Sequence, residues 1–515
     1  MCKCCGSSGM NRRTFLGASA ALTAAGLTAI QPVMAAQQAP WTGDLWNPNR
    51  PYHVPGKTLR VQPVLMYNTS TPVKQRSYKS WGDVQSHDGA KEEAQRIEGE
   101  LKSLKATAGF PVEFLPVILG ATPEAIENAN PNNADATILY PATGGGQQLR
   151  AGMNLPNPVI FARHRSGATY YWYESLSVNY LRTDRPDVEA ARTDVPKLSV
   201  HDVVIDDLEE LRWRLRVLYA IHNTMGARIL AIGGVMGKYA SNAPQVAKDV
   251  YKMEMIDYGY EQLEPRIKST LADAAKMKLA EKWTSQYLAM KGTTLDTDRG
   301  FLVNCFALYG LFKEIMAEND APLFTIRNCM SAIMPVSNTT ACLTLSFMND
   351  EGILALCESD FVVVPPATLL YYLCDAPVFM HNSTFPHGGV VTCAHCTGPR
   401  RMNGDRYEPA RIVTHYESEY GAAPKVDMPI GQQLSFINPE YAVGRWVGLR
   451  GEVLDNPFLQ ICRSQQDVKV EGDWKKLLSE VRDSHWLMVY GDKLRDIGYA
   501  AQRIGIQWDN ISDRA

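Results

Sequence analysis

The sequence has no cysteine between Gly6 and Asn304, although it holds 11 cysteines in 515 residues. A disulfide-stapled secreted domain is small and rich in cysteine throughout, so this class of protein is excluded. Three cysteines come before Gly6, and the other eight lie between Cys305 and Cys462. Most of these eight follow or sit in apolar runs such as Leu354–Cys357, which indicates buried free thiols.

Other signals are also missing. Cys393 and Cys396 have the spacing of half a zinc site, but no second Cys-x-x-Cys follows them. The turn at Gly233-Gly234 lacks the G-x-G-x-x-G pattern of a dinucleotide site. Lys and Arg total 52 against 55 for Asp and Glu, so no basic excess points to nucleic acid. After the N-terminal region no run of about 18 apolar residues occurs, so we expect no stable membrane span.

The N-terminal segment has the order of an export signal. Asn11–Gly17 contains the paired arginines Arg12 and Arg13, and an Ala-rich, weakly apolar run follows from Ala18 to Ile30. Small residues at Val33–Ala36 then provide a cleavage site for a signal peptidase. Residues 1–36 are therefore predicted to be a twin-arginine (Tat) signal peptide, and the mature protein is expected in the periplasm.

The rest of the chain is long enough for two to four domains. Short apolar strand patterns alternate with helical ones, for example Ile97, Leu101 and Leu104 on one helix face, and this rhythm predicts parallel sheets covered by helices. The predicted fold class is α/β, with α/β domains at 58–200 and 201–400 and a β-rich C-terminal domain at 401–515 that ends in a helix. Residues 37–57, rich in Pro, Trp and Asn, are predicted to form a surface arm.

Polar side chains follow three consecutive strand patterns of the second predicted domain. Glu358 follows the first, His381 and Asn382 the second, and His395 the third, while His485 precedes a later apolar strand. Ligands bind at the carboxyl ends of parallel strands, and a carboxylate directly after a buried strand is costly unless paired or bound to a metal. The mixture of donors suits Mn²⁺, Fe²⁺, Co²⁺ or Zn²⁺ better than Ca²⁺. A histidine at a strand end is also commonly a structural, hydrogen-bonded residue.

These residues stand in a recognisable context between Leu302 and Asn510. It resembles the L-fucose/L-arabinose isomerase superfamily in a set of short stretches: Asn349-Asp350-Glu351-Gly352, Cys357-Glu358-Ser359-Asp360, Pro377-Val378-Phe379, Ala394-His395-Cys396, Ser484-His485-Trp486 and Val489-Tyr490-Gly491-Asp492. The resemblance implies two α/β domains and a β-rich C-terminal domain. It also implies interconversion of aldoses and ketoses with a divalent metal, usually Mn²⁺, and assembly into a homo-oligomer.

The resemblance also assigns site residues. It implies Glu358, His485 and His395 as metal ligands, with Asn382 where the family has a second acidic ligand. An amide oxygen can coordinate a metal but cannot accept a proton as a base. Proton transfer through an ene-diol then falls to Glu358, with the nearby Asp360 as a further candidate base. The expected function is a metal-dependent, aldose–ketose isomerase-like enzyme acting on a small sugar. Two alternatives stay open, namely an exported carbohydrate-binding protein without turnover and a diverged metal-dependent lyase or epimerase.

Overall fold

The computed structural model describes residues 41–130, 132–170, 176, 179–193, 198–440, 444–480 and 484–513. The predicted signal peptide, 1–36, lies outside these residues. The predicted surface arm, 37–57, is described from Trp41 onward, and the prediction of a surface location is wrong for Trp46. This side chain is 2% exposed and packs edge-on against Phe306 and Tyr287, because a large aromatic ring gains more from burial than from contact with water.

The first sheet is parallel, and its strands span residues 59–205. They are β1 (Leu59–Met66), β2 (Val112–Phe114), β3 (Ile118–Gly120), β4 (Ala136–Pro141), β5 (Pro158–Ala162) and β6 (Val203–Ile205). Their order is β2-β1-β4-β5-β6, with β3 also paired to β1. Seven of the eight residues of β1 are buried, as is typical of a strand covered on both faces.

Helices cover this sheet. They are α1 (His87–Thr107), α2 (Pro123–Glu127), α3 (Gly146–Gly152) and α4 (Pro186–Ala190), with a 3₁₀ turn at Val200–Asp202. The helix α1 begins at the N-cap Ser86, whose hydroxyl accepts a hydrogen bond from the N–H of Gly89. The predicted apolar face, Ile97, Leu101 and Leu104, is buried, which confirms the helical pattern.

The middle of the chain forms a second parallel sheet. Its region contains β7 (Arg228–Ile232), β8 (Glu254–Tyr258), β9 (Thr293–Asp296), β10 (Leu323–Ile326) and β11 (Ala355–Cys357). The sheet order is β11-β10-β7-β8. The helices are α5 (Leu208–Thr224), α6 (Ala243–Asp249), α7 (Tyr260–Ala272), α8 (Ala274–Leu288), α9 (Arg299–Glu318), α10 (Cys329–Ala332), α11 (Met334–Ser337), α12 (Cys342–Asp350) and α13 (Val364–Cys374). Carboxyl ends of β7, β10 and β11 therefore meet at one edge.

One helix, α9, is long and apolar enough by composition to cross a membrane, within the part of the chain that is described. Its apolar window is 61% buried inside the protein, as is usual for the core helix of a folded domain.

The C-terminal region is a closed β structure with two helices. Its elements are β12 (Phe379–Ser383), β13 (Val390–His395), β14 (Ala410–His415), β15 (Tyr420–Val426), β16 (Gln433–Pro439), β17 (Arg445–Asp455), β18 (Ser464–Val470), α14 (Trp474–Glu480), β19 (His485–Tyr490), α15 (Leu494–Ile504) and β20 (Gln507–Asn510). The order β16-β19-β12-β13-β18-β17 closes through β16–β17 pairing into an antiparallel barrel, and β20 adds to β17 in parallel. The predicted fold class, two parallel-sheet α/β regions followed by a β-rich one, is confirmed.

Two strands differ from the prediction in orientation. β12 and β13 were predicted as further parallel strands, but they pair antiparallel with each other and belong to the barrel. The barrel sheet therefore begins at Phe379, before the predicted boundary at residue 401. The connection from Ser383 to Val390 is too short for a parallel crossover, which takes a dozen or more residues. His381 and Asn382 consequently lie within a strand and not after its end.

Candidate metal centre

Glu358 lies on a strained turn directly after β11. Glu358 has φ +63° and Ser359 has φ +48°, so two consecutive residues with side chains adopt the left-handed conformation. This conformation costs roughly 1–2 kcal/mol per residue, and such strain is concentrated at functional sites. The Ser359 hydroxyl oxygen is buried and has no hydrogen-bond partner within the described ranges.

The loop after β7 holds this turn in place. The Met236 N–H donates to the carbonyl of Ser359 at 3.1 Å, and the Phe361 N–H donates to the carbonyl of Met236 at 2.8 Å. Two residues further on, the Lys238 N–H donates to Asp360 Oδ1 at 2.9 Å. The strained conformation is thus fixed by backbone hydrogen bonds between two neighbouring loops at the carboxyl edge of the second sheet.

The barrel supplies the two histidines. His395 is the last residue of β13, and His485 is the first residue of β19. Glu358 Oε1 lies 3.4 Å from His485 Nε2 and 3.9 Å from His395 Nε2. One donor atom from each of the three side chains lies within 4.8 Å of the other two. The structure therefore brings together three of the four metal ligands predicted from the sequence.

The fourth predicted ligand, Asn382, lies beside this group. In the β12–β19 pair it stands opposite His485, and it lines the same cavity as Glu358 and His395. Its amide nitrogen donates to the carbonyl of Ser484 at 3.3 Å. The amide oxygen is then the atom that Asn382 offers to a metal or a sugar hydroxyl.

Asp360 lies behind His485 and away from the cavity. Its Oδ2 is 2.8 Å from His485 Nδ1, and both side chains are fully buried. Its Oδ1 accepts the backbone N–H groups of Lys238 and Val362. Asp360 was predicted as a catalytic base, but its surroundings suit a positioning residue that holds the His485 ring and directs Nε2 towards Glu358.

His381 has no place in this group. It is fully buried inside the barrel, where its ring packs against Phe436 and Trp486. Burial lowers its pKa from 6.5 to about 3, so it stays neutral at physiological pH.

The three triad residues have different protonation states without a metal. Burial alone raises the pKa of Glu358, but the hydrogen bonds and charges of His395 and His485 outweigh it and hold the pKa well below 4.5. Burial lowers the pKa of His485, yet hydrogen bonds with Asp360 and Glu358 raise it to about 9. Burial keeps the pKa of His395 below 6.5 despite its contact with Glu358. Glu358 is therefore an anion, His485 a cation and His395 neutral.

Lys238 is a member of the site that the sequence analysis did not single out. Its Nζ lies 3.3 Å from Glu358 Oε2 and 3.3 Å from His485 Nε2. The sequence analysis considered the glycine-rich turn at Gly233-Gly234 only for its backbone. The charged side chain of Lys238, four residues after this turn, was the signal that could have identified Lys238 as a site residue. Because the turn and the loop of Glu358 pair through Met236, Lys238 is brought to the triad.

The site opens into a cavity of about 580 Å³, a volume within the range of small-molecule sites. Besides the groups already described, its wall includes Arg327, Asn328, Thr397, His415 and Glu417.

Neither a protein-family model nor a curated protein matches this chain.

Proposed function

We propose that this protein is a metal-dependent carbohydrate enzyme of the aldose–ketose isomerase kind, acting on a small sugar. The observation that carries the proposal is the convergence of Glu358, His395 and His485, the first two of which line a cavity of sugar size. Asn382 adds a neutral oxygen donor from the same wall. A carboxylate with two imidazoles suits Mn²⁺, Fe²⁺, Co²⁺ or Zn²⁺, and the resemblance favours Mn²⁺ among these.

The donor distances fit such an ion. Metal bonds to imidazole nitrogen and carboxylate oxygen of about 2.1 Å allow two donors on one ion to lie up to about 4.2 Å apart. The separations of 3.4 and 3.9 Å between Glu358 and the two histidines fall inside this limit. The carboxylate of Asp360 behind His485 is the outer-shell partner that a metal-binding imidazole normally has.

The chain's own residues would handle the proton. A bound divalent ion would polarise a sugar carbonyl and stabilise the negative charge that develops on its oxygen. Glu358 is the carboxylate of the triad and lines the cavity, so it is the residue placed to accept a proton from a carbon of the sugar. The ammonium of Lys238, 3.3 Å from Glu358, can return a proton or neutralise charge. Asp360 is buried behind His485 and serves to position it.

One observation favours a second candidate, a diverged metal-dependent lyase or epimerase. Asn382 stands where the resemblance places an acidic ligand, and an amide cannot act as a base. A site with Glu358 as its one carboxylate base can still exchange a proton on one face of a carbon. Elimination or epimerisation needs the same first step, so the product distinguishes these reactions.

The test combines metal analysis with a sugar panel. Purified protein is stripped with a chelator, reloaded with Mn²⁺ and incubated with aldopentoses, aldohexoses and 6-deoxy sugars in D₂O. We expect NMR to show the ketose with deuterium at its first carbon and, by the reverse reaction, the aldose with deuterium at its second carbon, and both signals to disappear in Glu358→Gln. The control is Glu127→Gln, an exposed carboxylate of α2 outside the cavity wall. Metal and sugar binding without exchange would instead identify an exported binding protein.

Export and assembly are proposals from the sequence. We infer periplasmic export through the Tat route from Arg12 and Arg13. Assembly into a homo-oligomer follows from the resemblance alone.

A further inference from the structure

The cavity beside the triad has a wall that is rich in sulfur. Five of the eight cysteines in the described ranges line it, together with two methionines. The seven residues are Met236, Cys329, Met330, Cys342, Cys357, Cys396 and Cys462. The proposed sugar chemistry uses none of these thiols, so their concentration at one cavity calls for a separate explanation.

Two of the thiols form a close pair. Cys329 is the first residue of α10 and Cys357 is the last residue of β11. They meet because β10 and β11 are neighbouring parallel strands, with Ile326 opposite Cys357. The two Sγ atoms are 4.0 Å apart, and each residue is 7% exposed.

The other three thiols pack together on the facing part of the wall. Cys342 begins α12, Cys396 follows β13, and Cys462 lies in the loop before β18. Cys342 and Cys396 pack with Ala423 in one buried cluster, and Cys462 lies against it. Cys393, the partner of Cys396 in the Cys-x-x-Cys spacing, packs instead in the barrel core. These two thiols therefore do not form the half zinc site that their spacing would allow, in agreement with the missing second Cys-x-x-Cys.

We propose that Cys329 and Cys357 are the primary ligands of a second metal site, for a soft monovalent ion of the Cu⁺ class. Two metal–sulfur bonds of about 2.3 Å allow sulfur atoms up to about 4.6 Å apart, and 4.0 Å lies within this limit. Thiolate and thioether sulfur select Cu⁺ over hard ions. Met236 and Met330 line the same cavity, and their thioethers would be further soft donors of the kind that favours Cu⁺ over Zn²⁺.

Charge at the cavity supports an anionic thiolate complex. Each thiol releases one proton when it binds, so two thiolates and one Cu⁺ carry a net charge of −1, and no electron is transferred. A buried negative charge needs a compensating cation. Arg327 lines the same cavity, and its Nε is buried with no hydrogen-bond partner in the described part of the chain. Lys238 adds a second cation nearby.

A disulfide is the competing fate of the pair. It requires the two sulfur atoms to approach to about 2.05 Å. The two sulfur atoms are 4.0 Å apart, so a disulfide would have to close this gap by about half. Ion binding needs no such movement.

The experiment titrates the reduced, full-length mature protein with Cu⁺ under anaerobic conditions against a coloured Cu⁺ chelator. We expect one tightly bound Cu⁺ per chain. The double variant Cys329→Ser/Cys357→Ser should bind it at least about 100-fold more weakly, since losing an outer-shell partner alone costs 10- to 100-fold. The matched control is Cys374→Ser, a thiol of α13 outside the cavity wall, which should bind Cu⁺ as the wild type does.

A second measurement keeps the test decisive if the double variant folds poorly. In the wild type, Cu⁺ should protect Cys329 and Cys357 from alkylation, as read by mass spectrometry of their peptides. Unchanged Cu⁺ affinity in the folded double variant would overturn the proposal, as would unprotected thiols or tighter binding of Zn²⁺ than of Cu⁺. A disulfide between Cys329 and Cys357 in freshly isolated protein would also overturn the proposal. Mn²⁺ binding by the double variant, measured separately, shows whether the triad is intact next to the substituted Cys357.

Discussion

Replacing Asp360 with Asn should stop His485 from binding a metal, because it reverses the direction of the hydrogen bond between residue 360 and His485 Nδ1. Asp360 Oδ1 accepts N–H groups from Lys238 at 2.9 Å and Val362 at 3.2 Å, so in the variant the amide oxygen keeps this position. The amide NH₂ group then faces His485 Nδ1, at the position where Oδ2 lies 2.8 Å away in the wild type. Because an N–H donor cannot accept from Nδ1–H, His485 takes the tautomer with its proton on Nε2, the atom that faces Glu358.

The variant should also lose a proton-linked stabilisation. Burial lowers the pKa of His485, but the hydrogen bonds with Asp360 and Glu358 raise it from 6.5 to about 9. This rise corresponds to about 3 kcal/mol of stability for the metal-free protein. Since the folded-state pKa is the higher one, the contribution is fully present below pH 6.5 and is lost as pH rises through about 9. In Asp360→Asn most of it is absent throughout this range.

Metal affinity should fall in the variant. Removing the carboxylate partner of a metal-binding histidine typically costs 10- to 100-fold in affinity. In the wild type, Mn²⁺ must displace the proton of His485, so its affinity should rise about tenfold per pH unit up to about pH 9. The variant should bind Mn²⁺ more weakly and with a shallower dependence on pH, because its His485 is already neutral.

Three measurements check this reasoning. Calorimetric Mn²⁺ titrations from pH 6 to 9 give the affinity, urea unfolding of the chelator-treated protein gives the stability, and carbon-13 NMR of histidine gives the pKa of His485. Glu417→Gln is the control, since this exposed carboxylate lines the cavity without contacting the triad. Wild-type Mn²⁺ affinity and pH dependence in Asp360→Asn would refute the positioning role of Asp360.

Three further changes probe the same region and the export signal. Asn382→Asp adds a carboxylate opposite His485 and should tighten Mn²⁺ binding, measured by calorimetry; an unchanged affinity would place Asn382 outside the metal shell. Lys238→Met removes the ammonium beside Glu358, so Mn²⁺ should bind more tightly while deuterium exchange into the sugar slows; faster exchange would contradict the proton role of Lys238. Lys at both Arg12 and Arg13 should abolish periplasmic accumulation in cell fractions, and an unchanged yield would exclude the Tat route.

Local patterns were enough to predict the fold class and most elements. The helical spacing of Ile97, Leu101 and Leu104 identified a buried face because side chains three and four apart share one side of a helix. The helix predicted to end the C-terminal domain is α15, Leu494–Ile504. Such features depend on neighbours in the sequence, which a single sequence shows directly.

The orientation of strands was not predictable in the same way. The strands β12 and β13 have apolar patterns that fit either a parallel or an antiparallel partner, and the choice is made by β18 and β19, far along the chain. Likewise β9, in the middle of the chain, pairs with β14 of the C-terminal region. The length of the link between Ser383 and Val390 was the one local signal, because six residues favour a hairpin.

The site residues could be predicted in type but not in role. Glu358 was noticeable because a carboxylate directly after a buried strand needs a partner. Asp360 stands only two residues away, yet the left-handed turn at Glu358 and Ser359 sends the two carboxylates to opposite sides of His485. Residues such as Glu and Ser give no indication in the sequence that their backbone is left-handed. The sequence analysis therefore considered both carboxylates for proton transfer.

The charges around His485 explain how the chain would keep the proposed metal site in place before any metal binds. Glu358 and Asp360 contribute two negative charges, and protonated His485 with Lys238 contributes two positive ones. This balance stabilises the strained turn in the metal-free protein, where two carboxylates without cations would repel each other. At Glu358, the His485 proton and the Lys238 ammonium supply the positive charge that a bound divalent ion would supply in their place. Metal binding, release of a proton and freeing of the lysine are therefore expected to be one coupled event, and the lysine so freed faces the cavity in which the sugar would lie.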